Sequence, residues 1–369
     1  MKKEILILAT SQVTIESFLL PHIKKLKKKY NITILTKLNF NSLVISDVEI
    51  YNINIDRKIN IINDLKNLIF LYKFLRYKNF NLIFTITPKA GLLGMLSAFA
   101  NRIPIRLHIF TGQVWSNKNL VNKFFLKLFD KLIMYLSNET LCDGRGQREF
   151  LIKNSFSKKI KVLGNGSICG VNTDLFKPSE SKKIELRKKL NIKKNEIIFL
   201  YVGRINKDKG IYNLLRISKL LSELNYKFRF IFVGNHEDEN LRYEIKKNKK
   251  IIYINHSRNI SKFYQLADVY IASSYREGFG VTVAQAMASG LPVIGTNIYG
   301  LKDLLKNGRN CITYEPDNIN KLFLACCKFI ENKRLRKKFG MQGRKKIVKN
   351  FQEKDLVRNF EKFFKNKLS

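Results

Sequence analysis

The sequence predicts an α/β protein made of two doubly wound domains, each with a parallel sheet between layers of helices. Short apolar runs alternate with longer amphipathic stretches along the 369 residues, and this alternation is typical of parallel sheets covered on both faces. The alternation stops once, in a glycine-rich loop, and then starts again. A chain of this length that is 45% hydrophobic is long enough for two such domains.

Six short apolar runs in the first half are predicted strands, and the stretches between most of them are predicted helices because their apolar residues recur with helical spacing. The strands are Ile5–Ala9, Ile32–Thr36, Val48–Ile53, Leu82–Ile86, Ile105–Phe110 and Glu139–Cys142. The helical stretches are Glu16–Lys29, Ile61–Lys78, Ala90–Asn101 and Leu120–Ser137.

A second series of predicted strands begins near Glu196, again with helices between them. It comprises Ile197–Val202, Lys227–Val233, Lys250–Ile254, Val269–Ala272, Pro292–Ile294 and Cys311–Thr313. The rest of the chain is predicted to be helical, with breaks near Asn332 and Asn350.

The segment 164–178 separates the two series, and its three glycines and one proline predict a hinge. We therefore expect a first domain at residues 1–170 and a second at 171–350, facing each other across a cleft. A C-terminal helix at 351–369 is expected to pack back toward the first domain.

The charge is strongly positive, with 69 Lys and Arg against 29 Asp and Glu and a formal net charge of +40. Such a field attracts polyanions, namely nucleic acid, anionic lipid or nucleotide phosphates, without choosing among them. The abundance of Lys, Asn and Ile throughout also fits AT-rich coding, which is an alternative source of the excess.

Cysteine usage and hydropathy indicate a compartment. The five cysteines form no C-x-x-C pair, which favours reduced thiols and the cytoplasm, and the scattered histidines predict no zinc site. The N-terminal apolar run has the length of one strand and lacks the features of a signal peptide. No uncharged apolar run reaches the length of a membrane span, so any membrane contact is expected to be peripheral.

The segment around Glu277 is the most informative part of the chain. Glu277 follows a predicted strand in a glycine-flanked loop, and an apolar helix from Val281 to Ser289 follows. Free N–H groups at such a helix N-terminus favour an anion such as a phosphate. Because Glu277 is itself negative, we expect it to contact a hydroxyl-rich group beside the phosphate.

A second candidate site follows the strand that ends at Gly203. Arg204 and Lys209 lie in the loop between this strand and the next helix. An arginine fork and a lysine point charge beside a helix N-terminus can bind a diphosphate. A solvated basic loop is the plain alternative for this segment taken alone.

Together these residues carry a family resemblance. Gly203-Arg204 with Lys209-Gly210, followed by Glu277-Gly-Phe-Gly and Gly290-Leu-Pro-Val-Ile, resemble the nucleotide-sugar domain of the group 1 retaining glycosyltransferases, which have the two-domain GT-B fold. In the first half, Thr87-Pro-Lys-Ala-Gly-Leu-Leu-Gly94 and Thr111-Gly-Gln-Val-Trp115 are similar to bacterial members that build capsule, O-antigen or glycan-linked lipids.

The resemblance implies a metal-independent hexosyl- or N-acetylhexosaminyl-transferase that needs no cofactor and no metal. It would move a sugar from a nucleotide-sugar donor, expected to be a UDP-sugar, to a lipid-linked saccharide. Arg204 and Lys209 would bind the donor diphosphate and Glu277 would lie near the transferred sugar. Further donor contacts are assigned to Gly203, Gly278, Phe279, Gly280, Val281 and Gln285.

One residue departs from the family pattern. The acidic signature has two glutamates with seven residues between them, and the second falls on Gln285. The second glutamate normally accepts hydrogen bonds from ribose hydroxyls. Glutamine can also accept, without the charge, so we interpret Gln285 as a functional variant; a decayed site is the alternative.

Three residues of the first domain are candidates for the same cleft. Ser11 lies in the turn after the first strand, although the usual glycines are missing there. His108 is expected to contact the sugar or the donor phosphate, with core packing as the alternative. Lys89 could meet the pyrophosphate of a lipid-linked acceptor, or be an ordinary exposed lysine.

Basic helices suggest a place at the membrane. Lys123, Lys127 and Lys131 are spaced by four residues among phenylalanines and leucines, and residues 16–29 carry five more lysines. Such helices can lie on anionic bilayers, although most amphipathic helices in α/β domains only cover a sheet. Trp115, the single tryptophan, suits a sugar face, a membrane interface or the core.

The leading hypothesis is therefore a cytoplasmic glycosyltransferase of surface polysaccharide or glycan synthesis, peripheral on the inner face of a bacterial plasma membrane and without a nucleic-acid partner. Two alternatives remain at this point. The charge alone suggests a nucleic-acid-binding protein, although no RNA motif or helix-turn-helix spacing supports it. Gln285 suggests a sugar-nucleotide-binding protein with weakened catalysis.

Overall fold

The computed structural model describes residues 2–38, 43–56, 59–255, 257 and 259–369. The chain divides into two compact units. The first comprises Met1–Cys169 together with Glu353–Ser369, and the second comprises Gly170–Gln352.

The first unit is built on a parallel sheet whose six strands, among the described residues, lie in the order β3-β2-β1-β4-β5-β6. Its strands are β1 (Glu4–Leu8), β2 (Asn31–Thr36), β3 (Glu49–Asn52), β4 (Leu82–Ile86), β5 (Ile105–Phe110) and β6 (Glu139–Cys142). Its helices are α1 (Gln12–Thr14), α2 (Leu20–Leu26), α3 (Ile61–Tyr77), α4 (Pro88–Ala100), α5 (Leu120–Leu136) and α6 (Arg145–Lys153).

The second unit repeats this plan, with described strands in the order β12-β11-β10-β7-β8-β9. They are β7 (Ile197–Val202), β8 (Phe228–Val233), β9 (Ile251–Ile254), β10 (Val269–Ala272), β11 (Val293–Thr296) and β12 (Cys311–Tyr314). The helices are α7 (Glu180–Lys189), α8 (Ile211–Glu223), α9 (Glu239–Lys247), α10 (Ser261–Leu266), α11 (Val281–Ala288), α12 (Ile319–Glu331) and α13 (Lys333–Asn350).

These two parallel sheets confirm the predicted fold class, and every predicted strand is present within two residues at its ends. Central strands such as β4 are buried at every position, because helices cover both faces of a parallel sheet. Phe228, Phe230 and Phe232 of β8 are fully buried, and each such side chain contributes about 1.5–3 kcal/mol by leaving water. The facing of the two domains across a cleft stays a prediction.

The helical stretch 16–29 differs from the single helix that its pattern predicts. A wider π-helical turn, Ile15–Leu19, separates α1 from α2. Pro21 lies in the first turn of α2 and has no N–H to continue a regular ladder from the preceding turn. The helix therefore breaks just before Pro21, because proline is accommodated in the first turn of a helix.

The C-terminal helices break where the asparagines predict. The side chain of Asn332 accepts a hydrogen bond from Leu335 N at 2.8 Å, which caps α13 and separates it from α12. After Asn350 the last helix, α14 (Glu353–Leu368), forms part of the first unit. There Phe360 lies 4.3 Å from the His22 ring, centroid to centroid.

Over the described part of the chain, no helix combines the length and the apolar character needed to cross a membrane.

Candidate functional site

The centre of the second sheet creates a place for a ligand. Strands β7 and β10 are neighbours, and the order of strands runs outward from them in opposite directions. The loops that follow two such strands diverge, and ligands of doubly wound sheets bind in the crevice that results. The loop after β7 carries Arg204 and Lys209, and the loop after β10 carries Glu277.

These two loops are joined by several contacts. Tyr275 N donates to Asp208 O at 3.0 Å, and the Arg276 guanidinium lies 3.2 Å from the Asp208 carboxylate. Ser273 Oγ donates to Lys209 O at 2.7 Å. Gly210 permits this approach, because its φ is +68° and a β-carbon there would lie 2.1 Å from Ser273 O.

Lys209 and Glu277 meet directly, with 2.6 Å between Lys209 Nζ and Glu277 Oε1. Both side chains are about one-fifth exposed, at 18% and 21%, so the pair is partly shielded and still reachable by a ligand. Gly300 packs directly against this loop, since a β-carbon there would lie 2.0 Å from Glu277 O. The structure thus brings together the two most specific candidate residues.

Glu277 is ionised at neutral pH. Burial by itself raises its pKa, but the charge and the hydrogen bond of Lys209, with help from Ser274 and Arg276, outweigh burial, and the pKa lies below the ordinary 4.5. The carboxylate is therefore an acceptor and not a proton donor near pH 7.

Arg204 lies in the same loop as Lys209 but contacts a different carboxylate. Its Nη1 lies 2.6 and 2.9 Å from the two oxygens of Glu237, and the Asn206 amide donates to the same carboxylate at 2.7 Å. Tyr201 Oη donates to the backbone oxygen of Arg204 at 2.7 Å. The side chains of both Arg204 and Glu237 remain more than one-third exposed.

The loop after Glu277 leads into α11. Gly278, Phe279 and Gly280 are buried, and the Phe279 ring packs on Phe351 at 5.1 Å, so Phe279 anchors the loop in the core. Gly280 has a φ of +81° and precedes Val281, the first residue of α11. The first N–H groups of this helix have no acceptor within it, and they favour an anion.

Gln285 lies one turn further along α11 and is half-buried. Its Oε1 accepts a hydrogen bond from Tyr264 Oη at 3.1 Å. Burial, with Tyr270 and Tyr201 nearby, holds the pKa of Tyr264 well above its ordinary value, so this hydroxyl stays protonated. One lone pair of the Gln285 carbonyl and both amide protons remain for a ligand.

In the first unit, β1 and β4 occupy the equivalent switch position. Ser11 follows β1, and its hydroxyl lies 3.0 Å from Thr14 Oγ1. Thr87 follows β4 with a φ of +79°, which is strained for a β-branched residue. Its hydroxyl oxygen is buried without a hydrogen-bond partner.

His108 lies inside β5 and is 1% exposed. Its Nδ1 lies 2.8 Å from Thr85 Oγ1, and the ring fills the space that a β-carbon at Gly91 would need. Burial lowers its pKa to about 3, so the ring is neutral. This environment favours the core alternative for His108.

Lys89 and Trp115 also have partners inside the first unit. Lys89 Nζ lies 2.8 Å from the Asp64 carboxylate. Trp115 is buried, stacks on Phe150 and donates from Nε1 to Asp130 Oδ2 at 2.8 Å. Of the three alternatives for Trp115, the structure therefore supports the core.

The sequence analysis does not identify Asp208 and Glu237 in the second unit, or Thr87 in the first. Glu237 follows β8 with no motif around it. The position of Thr87 directly after the central strand β4 is a signal that the sequence does contain. No group of three or more His, Cys, Asp or Glu side chains suited to a metal ion occurs in the described ranges.

The comparisons with known proteins indicate a glycosyltransferase, in agreement with a fold of two Rossmann-like domains. Residues 182–346 match the model of the family described as glycosyl transferases group 1, which confirms the resemblance drawn from the motifs. The match lies within the second unit, which carries the Lys209–Glu277 pair.

Two curated relatives are similar to this chain over most of its length. The chain is 29% identical over 315 residues to the capsular polysaccharide biosynthesis glycosyltransferase CapM of Staphylococcus aureus, covering 84% of this chain and 82% of the relative. It is 28% identical over 305 residues to the UDP-Gal:alpha-D-GlcNAc-diphosphoundecaprenol alpha-1,3-galactosyltransferase of Escherichia coli, covering 80% and 78%.

Among solved structures, Anabaena Alr3699/HepE in complex with UDP and glucose superposes with a TM-score of 0.80 at 17% identity. The match covers 99% of this chain and 100% of that one. At this identity the likeness supports the fold alone.

Proposed function

We propose that the protein is a retaining glycosyltransferase that moves a sugar from a UDP-sugar to a lipid-linked saccharide during surface polysaccharide or glycan synthesis. The observation that carries the proposal is the Lys209–Glu277 pair at the switch point of the second sheet. The Escherichia coli relative acts with UDP-Gal on a diphosphoundecaprenol-linked sugar, and the Staphylococcus aureus relative serves capsule synthesis. The comparisons give no support to the nucleic-acid-binding alternative.

In this proposal, residues 171–350 bind the donor, residues 1–170 bind the acceptor and residues 351–369 form the C-terminal helix. The donor diphosphate contacts Lys209, Arg204 and the N-terminus of α11. An ammonium has three donors, so Lys209 can keep one hydrogen bond to Glu277 and direct another at a phosphate oxygen. The Arg204 guanidinium keeps its contact with Glu237 and uses its remaining N–H donors to bind the diphosphate.

The chemistry needs charge stabilisation at the leaving group. The bond between the anomeric carbon and the phosphate oxygen breaks, and a new bond forms to the acceptor oxygen on the same face. The acceptor proton passes to the departing phosphate. Negative charge grows on the nucleoside diphosphate as the first bond breaks, and Lys209, Arg204 and the helix terminus stabilise it where it develops. This mechanism assigns the electrostatic role to protein cations and uses no metal ion.

Glu277 and Gln285 serve the neutral parts of the donor. The ionised Glu277 accepts hydrogen bonds from hydroxyls of the transferred sugar, and Gln285 offers an amide to the ribose. The neutral amide binds the ribose hydroxyls more weakly than a carboxylate would. His108 and Ser11 remain proposed contacts from the first domain, with His108 the weaker of the two because of its burial.

We also propose that α5 holds the enzyme on an anionic bilayer at the cytoplasmic face of the plasma membrane. Leu120 and Phe124 of α5 are 83% and 65% exposed, and α4, which packs against α5, also packs against α3, where Ile61 is 78% exposed. Exposed apolar surface of this extent marks an interaction surface.

The lysines of α5 select an anionic partner for this surface. Lys123 and Lys131 lower the pKa of Lys127, after the larger effect of burial, so the cations lie close enough to repel one another. Anionic headgroups relieve that repulsion while the phenylalanines enter the interface. The lysines of residues 16–29 differ, because Lys25 and Lys29 pair with Glu361 of α14.

A screen of nucleotide sugars by thermal shift tests the proposal. A donor that binds only the folded protein raises the melting temperature with its concentration, and we expect UDP-sugars to do so more than GDP- or ADP-sugars. Release of UDP in the presence of a lipid-linked acceptor then separates turnover from mere binding. A protein that binds the donor and releases no UDP would favour the weakened alternative.

A further inference from the structure

The second unit contains a strongly basic pocket that the proposed sugar transfer does not use. It has a volume of about 400 Å³ and lies between the turn at 306–310 and the last turns of α13. Five cationic side chains line it, and no carboxylate does: Lys306, Arg309, Lys345, Lys346 and Lys349. Ligand pockets in proteins begin at about 300 Å³, so the space suits a small molecule.

Helical spacing places the α13 residues of the pocket on one face of the helix. Gln342, Lys345 and Lys349 are separated by three and four residues, so they lie on one face of the helix. Like charges at this spacing repel each other. An anion in front of this face would relieve the repulsion between Lys345 and Lys349.

The turn side of the pocket is held in one conformation by its own hydrogen bonds. Asn310 is buried, accepts from Lys306 N at 2.8 Å and donates to Leu304 O at 3.0 Å. Lys346 Nζ donates to the same Leu304 oxygen at 2.9 Å, which joins α13 to the turn. Lys306 and Arg309 therefore project from a fixed base.

The cations of the pocket form no close ion pair with a carboxylate of the described residues. Burial lowers the pKa of Lys346, Lys306 and Arg309 lower it further, and Asp303, which does not line the pocket, partly opposes them. An anion that contacted several of these groups would be stabilised by each.

We propose that this pocket binds a small anion with more than one phosphate charge. Arg309 offers a planar fork to phosphate oxygens and the lysines offer point charges. Two sources share this chemistry, namely a free phosphorylated metabolite and the headgroup of an anionic lipid. The residues differ from those of the donor site, so the proposal does not depend on sugar transfer.

Calorimetric titration of the full chain with inorganic pyrophosphate tests the proposal. The titration uses Lys209→Ala protein, so that the proposed donor site binds pyrophosphate more weakly and competes less. Two double variants are compared. The pocket variant carries Lys345→Gln and Lys349→Gln, and the matched control carries Lys188→Gln and Lys189→Gln, at two exposed lysines of α7. Each double variant removes two charges from the second unit.

The pocket variant is expected to bind pyrophosphate at least about tenfold more weakly than the matched control, the loss that one charge-assisted hydrogen bond accounts for. Gln342→Glu, at an exposed position, is expected to weaken binding without removing any packing, and it replaces the double variant if that fails to fold.

Vesicles of phosphatidylcholine with and without cardiolipin, a lipid whose headgroup carries two phosphates, distinguish the two sources. A pocket-dependent loss of pyrophosphate binding alone supports a soluble anion, and a pocket-dependent loss of both pyrophosphate binding and vesicle binding supports a lipid headgroup. If the pocket variant and the matched control behave alike toward both probes, the pocket is not an anion site and the proposal is overturned.

Discussion

Lys209 Nζ lies 2.6 Å from Glu277 Oε1, although the two residues belong to loops that follow different strands, β7 and β10. The distance joins a cation suited to a diphosphate with a carboxylate suited to sugar hydroxyls. Ser273 Oγ donates to the backbone oxygen of Lys209, and the Gly300 backbone packs against the backbone of Glu277. The pair is therefore positioned before any donor binds. Such preorganisation is what electrostatic catalysis requires.

Removal of the Lys209 charge should abolish most sugar transfer. We expect Lys209→Ala to lower turnover on the order of 10²–10³-fold, the usual effect of deleting one group that stabilises transition-state charge, while the fold is kept. The matched control is Lys207→Ala, an exposed lysine of the same loop. Steady-state UDP release by the two variants makes the comparison, and wild-type turnover in Lys209→Ala would exclude the proposed role.

The Glu277 carboxylate should contribute a pH-dependent part of stability. Its pKa in the folded protein lies below the ordinary 4.5, so the unfolded chain binds the proton more readily. The contribution is complete above the unfolded pKa and is lost as the pH falls through the folded pKa. We expect Glu277→Gln to be less stable than wild type at pH 7, with the difference shrinking below about pH 4.5.

Melting temperatures of both proteins from pH 7 to pH 3 measure this difference. Asp174→Asn, a change at an exposed carboxylate of the same unit, is the control. If the stability difference between wild type and Glu277→Gln grew as the pH fell, the Lys209–Glu277 ion pair would not be its cause.

Restoration of the second signature glutamate should tighten donor binding. We expect Gln285→Glu to bind UDP about tenfold more tightly, because a carboxylate accepts stronger hydrogen bonds from the ribose hydroxyls. The neutral Tyr264 hydroxyl can donate to the carboxylate as it does to the amide. Calorimetry with UDP gives the ratio. Weaker binding by Gln285→Glu would show that UDP binding needs the N–H donors of the glutamine amide, which a carboxylate lacks.

Phe124, the most exposed of the three exposed phenylalanines of α5, should be needed for membrane binding. We expect Phe124→Asp to reduce co-sedimentation with anionic vesicles roughly tenfold or more at low salt, because a buried phenylalanine contributes about 1.5–3 kcal/mol. Leu324→Asp is the control, since Leu324 on α12 is 63% exposed against 65% for Phe124. Equal losses in both variants would indicate general charge repulsion and count against an α5 surface.

The buried Asp130 should make the first unit less stable at higher pH. Burial raises its pKa from 3.8 to about 7, and the hydrogen bond from Trp115 opposes the rise. Between these values the folded protein holds the proton that the unfolded chain loses, so stability falls as the pH rises through this window. We expect Asp130→Asn to be more stable than wild type at pH 8, on the order of a few kcal/mol.

Denaturant unfolding of wild type and Asp130→Asn at pH 5 and pH 8 checks this expectation. Asparagine keeps an acceptor for the Trp115 N–H, so packing changes little. A variant that loses stability equally at both pH values would show that the carboxyl group itself, and not its titration, matters.

The strands and the donor loops were predictable because their signals are local. A continuous apolar run bounded by glycine, as in Phe199–Gly203, predicts a buried parallel strand, and the residues of the next loop follow at the sheet edge. Lys209 and Glu277 could therefore be assigned to one site from their positions after β7 and β10.

Long-range partners could not be predicted in the same way. Glu237 pairs with Arg204 across 33 positions because β8 lies beside β7, and no motif marks it. Trp115 is buried because Asp130, on a separate helix, accepts its N–H. The sequence alone could not choose between a buried and an exposed tryptophan, since either suits a loop before an amphipathic helix.

The central claim is that a donor diphosphate binds beside Glu277 through Lys209 at the switch point of the second sheet. Calorimetric titration with UDP of the wild type, Lys209→Ala and Lys207→Ala tests it most directly. The account predicts that Lys209→Ala binds UDP at least about tenfold more weakly while Lys207→Ala binds like wild type. Unchanged UDP affinity in a folded Lys209→Ala protein would contradict it.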